Sequence, residues 1–219
     1  MVKIDTKISL VGLANAGKTS LLRTLKRTYN IGENLTPTKN VERSEFYLWG
    51  ASGSIWDYGG QEQYRNSYLS QPSRYFSEID FLFFVIDIQD HQKYPEALKY
   101  FEEIFDAAKV HSGDNLIVVI LFHKCDPGLS DDNFETDREN LQKEIQKITL
   151  DYDVYFETTS IYDPTSALEA FSKPILGSRL IYSELSVLFS QFAMKHDIQY
   201  LSLIVDDLLE LGSFKLRSK

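Results

Sequence analysis

Gly12-Leu13-Ala14-Asn15-Ala16-Gly17-Lys18-Thr19 is the stretch on which the reading of this chain turns. The octapeptide fits G-x-x-x-x-G-K-[ST], and its flanks suit it. Lys7–Gly12 reads as a buried strand and Lys18–Tyr29 as a helix. Two glycines let the backbone curl so that successive N–H groups face one centre, which suits phosphate oxygens. A helix starting near Gly17 adds the positive end of its dipole. Lys18 reaches toward the outer phosphates as a point charge, and the Thr19 hydroxyl suits Mg²⁺. Gly12, Ala14, Asn15, Ala16, Gly17, Lys18, Thr19 and Ser20 are therefore candidates for holding a phosphorylated cofactor. The bland alternative is a glycine turn with a solvated lysine; the strand before and the helix after weigh against it.

Outward from this loop, strand and helix patterns alternate. A polar segment, Asn30–Asn40, leads to Val41–Leu48 and Ser54–Trp56, which read as a hairpin with Gly50 and Gly53 at its turn. Phe81–Ile88 and Leu116–Phe122 are continuous apolar runs, the pattern of strands buried on both faces. Helical stretches follow them at Tyr94–Val110 and Asp132–Thr149, and Val154–Glu157 is a last short strand. This alternation predicts an α/β fold with a mostly parallel sheet, six-stranded on this count, and helices on both faces. Beyond Thr165 the chain reads as two helices, Ser166–Lys173 and Ile175–Lys195, separated by Pro174. A strand, Ile198–Val205, and a short amphipathic stretch with a basic tip complete it. The expected division is residues 1–180 as the main domain and 181–219 as a helix–strand extension.

Four more segments carry chemistry when taken with the glycine loop. In Trp56-Asp57-Tyr58-Gly59-Gly60-Gln61-Glu62, Asp57 leaves a buried strand where it can hold Mg²⁺ from the side opposite the loop. Gly60 permits close backbone approach to a γ-phosphate, and Gln61 is placed to orient an attacking water. In His123-Lys124-Cys125-Asp126, the Asp126 carboxylate can accept two hydrogen bonds from a guanine edge, which adenine does not offer. The Lys124 stem can lie along the base. Thr158-Thr159-Ser160-Ile161-Tyr162-Asp163 can present a backbone N–H to the guanine oxygen. Thr36-Pro37-Thr38 supplies a hydroxyl, Thr38 for preference, that completes Mg²⁺ coordination only when a γ-phosphate is present, which makes the segment a switch. Each of these has an ordinary reading as a turn or a surface charge; their joint order is what favours the functional one.

Bulk properties narrow the classes. A formal net charge of −9 argues against a general nucleic-acid or anionic-membrane surface. Cys125 is the single cysteine, so no disulfide framework forms within the chain, in keeping with a reducing compartment. No apolar run is long enough to span a bilayer, and with Val2 at the second position and no prenylation box read, no lipid anchor is expected. The expected location is cytoplasmic, with any membrane recruitment through partners.

Together the five elements resemble the small GTPase superfamily over about the first 180 residues. Within it the likeness runs to the Rag/Gtr GTPases, on Trp56–Gln61, on His123 in place of asparagine, and on Thr159–Asp163. Pro37-Thr38 and the double glycine are also Arf-like. The resemblance implies a P-loop NTPase G domain that binds GTP and GDP with Mg²⁺ and hydrolyses GTP slowly unless an activating protein assists. Nucleotide state would then control binding of effectors through the switch segments, in signalling or trafficking. It implies Gln61 as the catalytic residue, and Thr19, Thr38 and Asp57 at the metal. Cofactor contacts are implied from Gly12, Ala14, Asn15, Ala16, Gly17, Lys18, Thr19 and Ser20 and from Thr38, Gly60, His123, Lys124, Asp126, Ser160 and Ile161. Rag proteins also dimerise through a roadblock-like domain, of which Ile175–Lys195 and Ile198–Val205 resemble the start. The aromatics Tyr64 and Tyr68 are expected on the exposed partner surface. Three alternatives stay open: a pseudo-GTPase interaction module, an ATP-using P-loop enzyme, and an Arf-like GTPase acting with a roadblock-domain partner.

Overall fold

The computed structural model describes residues 5–26, 36–48, 51–112, 115–128, 134–150, 152–177, 180–205 and 209–215. Its main sheet is six-stranded, built from β1 (Asp5–Gly12), β2 (Val41–Leu48), β3 (Ala51–Tyr58), β4 (Phe81–Asp87), β5 (Ile117–His123) and β6 (Val154–Thr159). The spatial order is β2-β3-β1-β4-β5-β6. Every pairing is parallel except β2 with β3, which form a hairpin. The apolar runs of β4 and β5 lie at the centre because both faces are covered; Phe83, Phe84, Val119 and Ile120 are fully buried.

One face carries α2 (Glu62–Ser70), α3 (Pro72–Phe76), α4 (Tyr94–Ser112) and α5 (Phe134–Thr149); the other carries α1 (Lys18–Leu25) and α6 (Pro164–Gly177). In α4 the residues Ala97, Tyr100, Phe101, Ile104, Phe105 and Ala108 recur at helical spacing and make one buried stripe. On the opposite face Phe171 stacks on Phe83 with ring centroids 4.4 Å apart.

Several expected boundaries differ. Gly53 lies inside β3, paired with Phe46, rather than in the hairpin turn; Gly50 falls outside the described residues. Pro174 does not separate two helices: α6 runs through it to Gly177. A proline costs a helix interior about 3 kcal/mol. Burial of Phe171 and Ile175 on the same helix returns roughly 1.5–3 kcal/mol for each. The next helix, α7, is Leu180–Lys195. The C-terminal stretch is not a lone strand followed by an amphipathic piece. It pairs as an antiparallel hairpin, β7 (Tyr200–Val205) with β8 (Leu209–Lys215), and β8 lies against α7 and α6. The helices α2 and α3 carry no apolar period legible in the sequence, since Tyr68 is the one buried residue of α2.

Candidate nucleotide and metal site

In the parallel part of the sheet the carboxyl ends of the strands converge at one edge, where ligands of open α/β sheets bind. Asp87 ends β4 opposite His123, and His123 ends β5 opposite Thr159. The loop after β1 joins this row and turns directly into α1. Asn15 at φ 64° and Gly17 at φ 93° provide the left-handed backbone that the curl requires. A Cβ on Gly17 would lie 2.3 Å from His123 Cδ2, so the loop sits on that imidazole and has no room for a side chain. Gly60 is equally constrained, since its Cβ would meet Leu13 O at 2.4 Å and Ala14 N at 2.5 Å.

These elements enclose a cavity of about 580 Å³. Ala14, Asn15, Gly17, Lys18, Thr19 and Ser20 line one end, with Thr36, Pro37, Thr38, Gly60 and Gln61 across from them. His123, Lys124, Asp126, Ile161 and Tyr162 line the other end. Four of the expected residues do not line it, Asp57 among them, which meets Thr19 and Thr38 of the lining. Gly12 offers its carbonyl to Lys18, Ala16 is 2% exposed in the core, and Ser160 reaches the cavity through Asp126.

Beside the glycine loop Lys18 Nζ donates to Gly12 O and Leu13 O, both at 2.9 Å. Burial pushes this ammonium down to a pKa of about 8, with the Asp57 charge opposing the shift and Arg65 adding to it. Thr19 Oγ1 and Thr38 Oγ1 are 2.8 Å apart, and Thr19 Oγ1 donates to Asp57 Oδ2 at 2.8 Å. Thr38 Oγ1 lies 3.3 Å from the same oxygen. Asp57 is 2% exposed, and its Oδ1 has no hydrogen-bond partner among the described residues. Burial raises the Asp57 pKa, with Lys18 opposing. Two hydroxyls and a carboxylate with a free buried oxygen form a hard, all-oxygen donor set, which fits Mg²⁺.

Beyond β5 and β6, Ser160 Oγ donates to Asp126 Oδ1 at 2.6 Å. His123 is 1% exposed, its Nδ1 lies 2.9 Å from Thr159 Oγ1, and burial followed by the Lys124 charge lowers its pKa to about 4. The ring is therefore neutral near pH 7 and fills the space against Gly17. Cys125 is partly buried, burial pushes its thiol up to about 12, and its Sγ donates to Phe122 O.

The conserved region of the Gtr1/RagA G proteins matches residues 7–204. The chain belongs to the Gtr1/RagA G protein family. It is 31% identical over 165 residues to Ras-related GTP-binding protein A of Dictyostelium discoideum, covering 73% of this chain and 53% of that protein. It is also similar to ADP-ribosylation factor-like protein 3 of Caenorhabditis elegans, 33% identical over 114 residues, covering 52% of this chain and 59% of that one. The chain thus spans little more than half the length of these curated relatives. Among solved structures, the Arl6 BBS3 small GTPase from Trypanosoma brucei with bound nucleotide analogue GppNp aligns with a TM-score of 0.59 at 18% identity. That alignment covers 76% of this chain and 93% of that chain. The structural likeness supports the six-stranded small-GTPase fold.

In this Gtr1/RagA-family chain one expectation about the switch surface is overturned. Tyr68 is fully buried and its hydroxyl donates to Asn40 O at 2.6 Å; Tyr64 is half-buried. The outward face of α2 is polar instead, presenting Glu62, Gln63 and Asn66. Two residues beside Lys124 and Asp126 carry no mark in the sequence reading. Asp87 has a signal in retrospect, an acidic residue at the carboxyl end of a buried strand. Gln89 has none, because its side-chain amide meets residues far along the chain.

Proposed function

We propose that this chain is a guanine-nucleotide switch that binds GTP and GDP with Mg²⁺ and slowly hydrolyses GTP, its nucleotide state governing partner binding. The observation that carries the reading is the meeting of Thr19, Thr38 and Asp57 in one hydrogen-bonded group. They come from three separate segments, and the cavity that Thr19 and Thr38 line also takes in Asp126. Mg²⁺ held by these oxygens would neutralise phosphate charge.

The chain's own residues divide the remaining work. Loop N–H groups and Lys18 bind phosphate oxygens, and Asp126 accepts from the base edge. Gln61, immediately before α2 with its Oε1 taking a hydrogen bond from Gln63, lines the phosphate end, where it can orient water. Thr38 and Gly60 sense the γ-phosphate and carry its presence to segments 36–40 and 60–70, through which effectors and activating proteins would bind. Residues 1–180 form the switch in this reading. The extension, 181–219, is a candidate contact for a second subunit or a roadblock-domain partner. Among the described residues no helix is long and apolar enough to cross a membrane, and recruitment by partners to a membrane is part of the same proposal.

Calorimetry with Mg²⁺ tests the core of this reading. GDP should bind at least about 100-fold more tightly than ADP, because adenine leaves the Asp126 acceptor unpaired. Comparable heats for the two nucleotides, or none for GDP, would remove it. Gln61→Leu should bind GTP normally and slow its single-turnover hydrolysis about tenfold or more; an unchanged rate would strip Gln61 of its role.

A further inference from the structure

We infer that Asp87 and Gln89, on the turn leaving β4, are positioning residues that hold the base-reading segment Lys124–Asp126 in its receptive geometry. The inference rests on the guanine reading above and deepens it. Asp87 ends β4 and uses both carboxylate oxygens: Oδ1 accepts the backbone N–H of Gln89 at 3.1 Å, and Oδ2 accepts the Lys124 ammonium at 2.5 Å. Gln89 then turns its amide onto the neighbouring loop. Its Nε2 donates to Lys124 O at 2.7 Å and lies 3.3 Å from Asp126 Oδ2. Ser160 Oγ secures the other oxygen, Oδ1. The Asp126 carboxylate is therefore braced from both sides, by residues 37 and 34 positions away in the chain.

The bracing has two consequences. Each carboxylate oxygen has two acceptor directions, so a brace on each leaves one per oxygen for N–H donors of a ligand. The plane of the carboxylate is set before the ligand arrives, and the cost of ordering it is not charged to binding. The second consequence concerns charge. Lys124 stands two residues from Asp126 with a left-handed backbone, φ 66°. An unattached ammonium there would compete for the Asp126 carboxylate and mask the acceptor. Asp87 holds it elsewhere, and Gln89 holds the Lys124 carbonyl that defines the turn.

The test uses the full chain, with Gln89→Ala and Asp87→Asn, and calorimetry against GDP and IDP in the presence of Mg²⁺. Inosine lacks the exocyclic amine of guanine and engages one carboxylate oxygen instead of two. Gln89→Ala should weaken GDP about fivefold and IDP less than twofold, with the thermal midpoint of the nucleotide-free chain unmoved. Asp87→Asn should also lower the GDP-to-IDP ratio, because the freed Lys124 masks Asp126. Equal losses for the two nucleotides, or none, in both variants overturn the brace. Native chain that fails to prefer GDP over ADP takes down the guanine reading and this inference with it. Native chain that prefers GDP, beside variants with an unaltered ratio, sinks the brace alone.

Discussion

His123 shows how one side chain couples two ends of a site. It occupies the space that a Cβ on Gly17 would need, and its ring nitrogen meets Thr159. The ring has to be neutral there, since burial and the adjoining Lys124 outweigh the opposing charges of Asp126 and Asp87. The folded chain holds this imidazole at about 4, whereas an unfolded histidine titrates near 6.5. Its neutral packing thus contributes fully above pH 6.5 and is lost progressively as pH falls toward 4, where the unfolded chain binds the extra proton. His123→Asn removes that proton uptake. Between pH 7 and pH 5 its unfolding free energy should fall by about 2 kcal/mol less than that of the native chain, measured by chemical unfolding at both pH values. A fall of equal size in both proteins would show that His123 is not held neutral.

Among the elements, α2 and the segment before β2 are joined through one carbonyl. Asn40 O accepts both the Gly59 N–H at 2.7 Å and the Tyr68 hydroxyl at 2.6 Å. Thr38, which shares Asp57 with Thr19, is two residues away. A displacement at Thr38 is therefore felt at α2 through a short, specific path, and Tyr68 belongs to the coupling and not to the partner surface. Tyr68→Phe keeps the ring in its contacts with Tyr58 and Tyr75 but deletes the hydroxyl donor. It should cost about 1 kcal/mol of stability. Amide exchange should quicken at residues 38–40 and 62–70 together; quickening confined to one of the two segments would separate them.

Over the whole molecule, the central sheet isolates two cores, and the site depends on both. The face carrying α4 supports the aromatic cluster beneath α2, while the face carrying α1 and α6 supports the glycine loop. Phe171, 2% exposed on α6 and stacked on Phe83, is a principal filler of the second core. Phe171→Ala should destabilise the fold by about 3–5 kcal/mol. Thermal melting reads this directly, and a loss below about 1 kcal/mol would mean that the C-terminal helices are dispensable to the main sheet.

The glycine loop, the buried runs of β4 and β5, and the candidate motifs at the strand ends were legible in the amino-acid sequence, because each is local: a few adjacent residues set the turn or the period. Thr19, Thr38, Asp57 and Asp126 could be singled out for the same reason, by residue type next to a strand end. The helices α2 and α3, the continuation of α6 through Pro174 and the β7–β8 hairpin were not legible. In each, a local preference is weak or contrary, and burial against distant elements decides. Gln89 is the limiting case. Nothing in its neighbours marks it, and it acquires a role only when the parallel pairing of β4 and β5 brings it against residues 35 and 37 positions later. The chain's local chemistry thus determined which residues are candidates for the site; the tertiary structure decided which side chains hold them in place, since bracing is a property of contacts and contacts at that range exist only in the folded sheet.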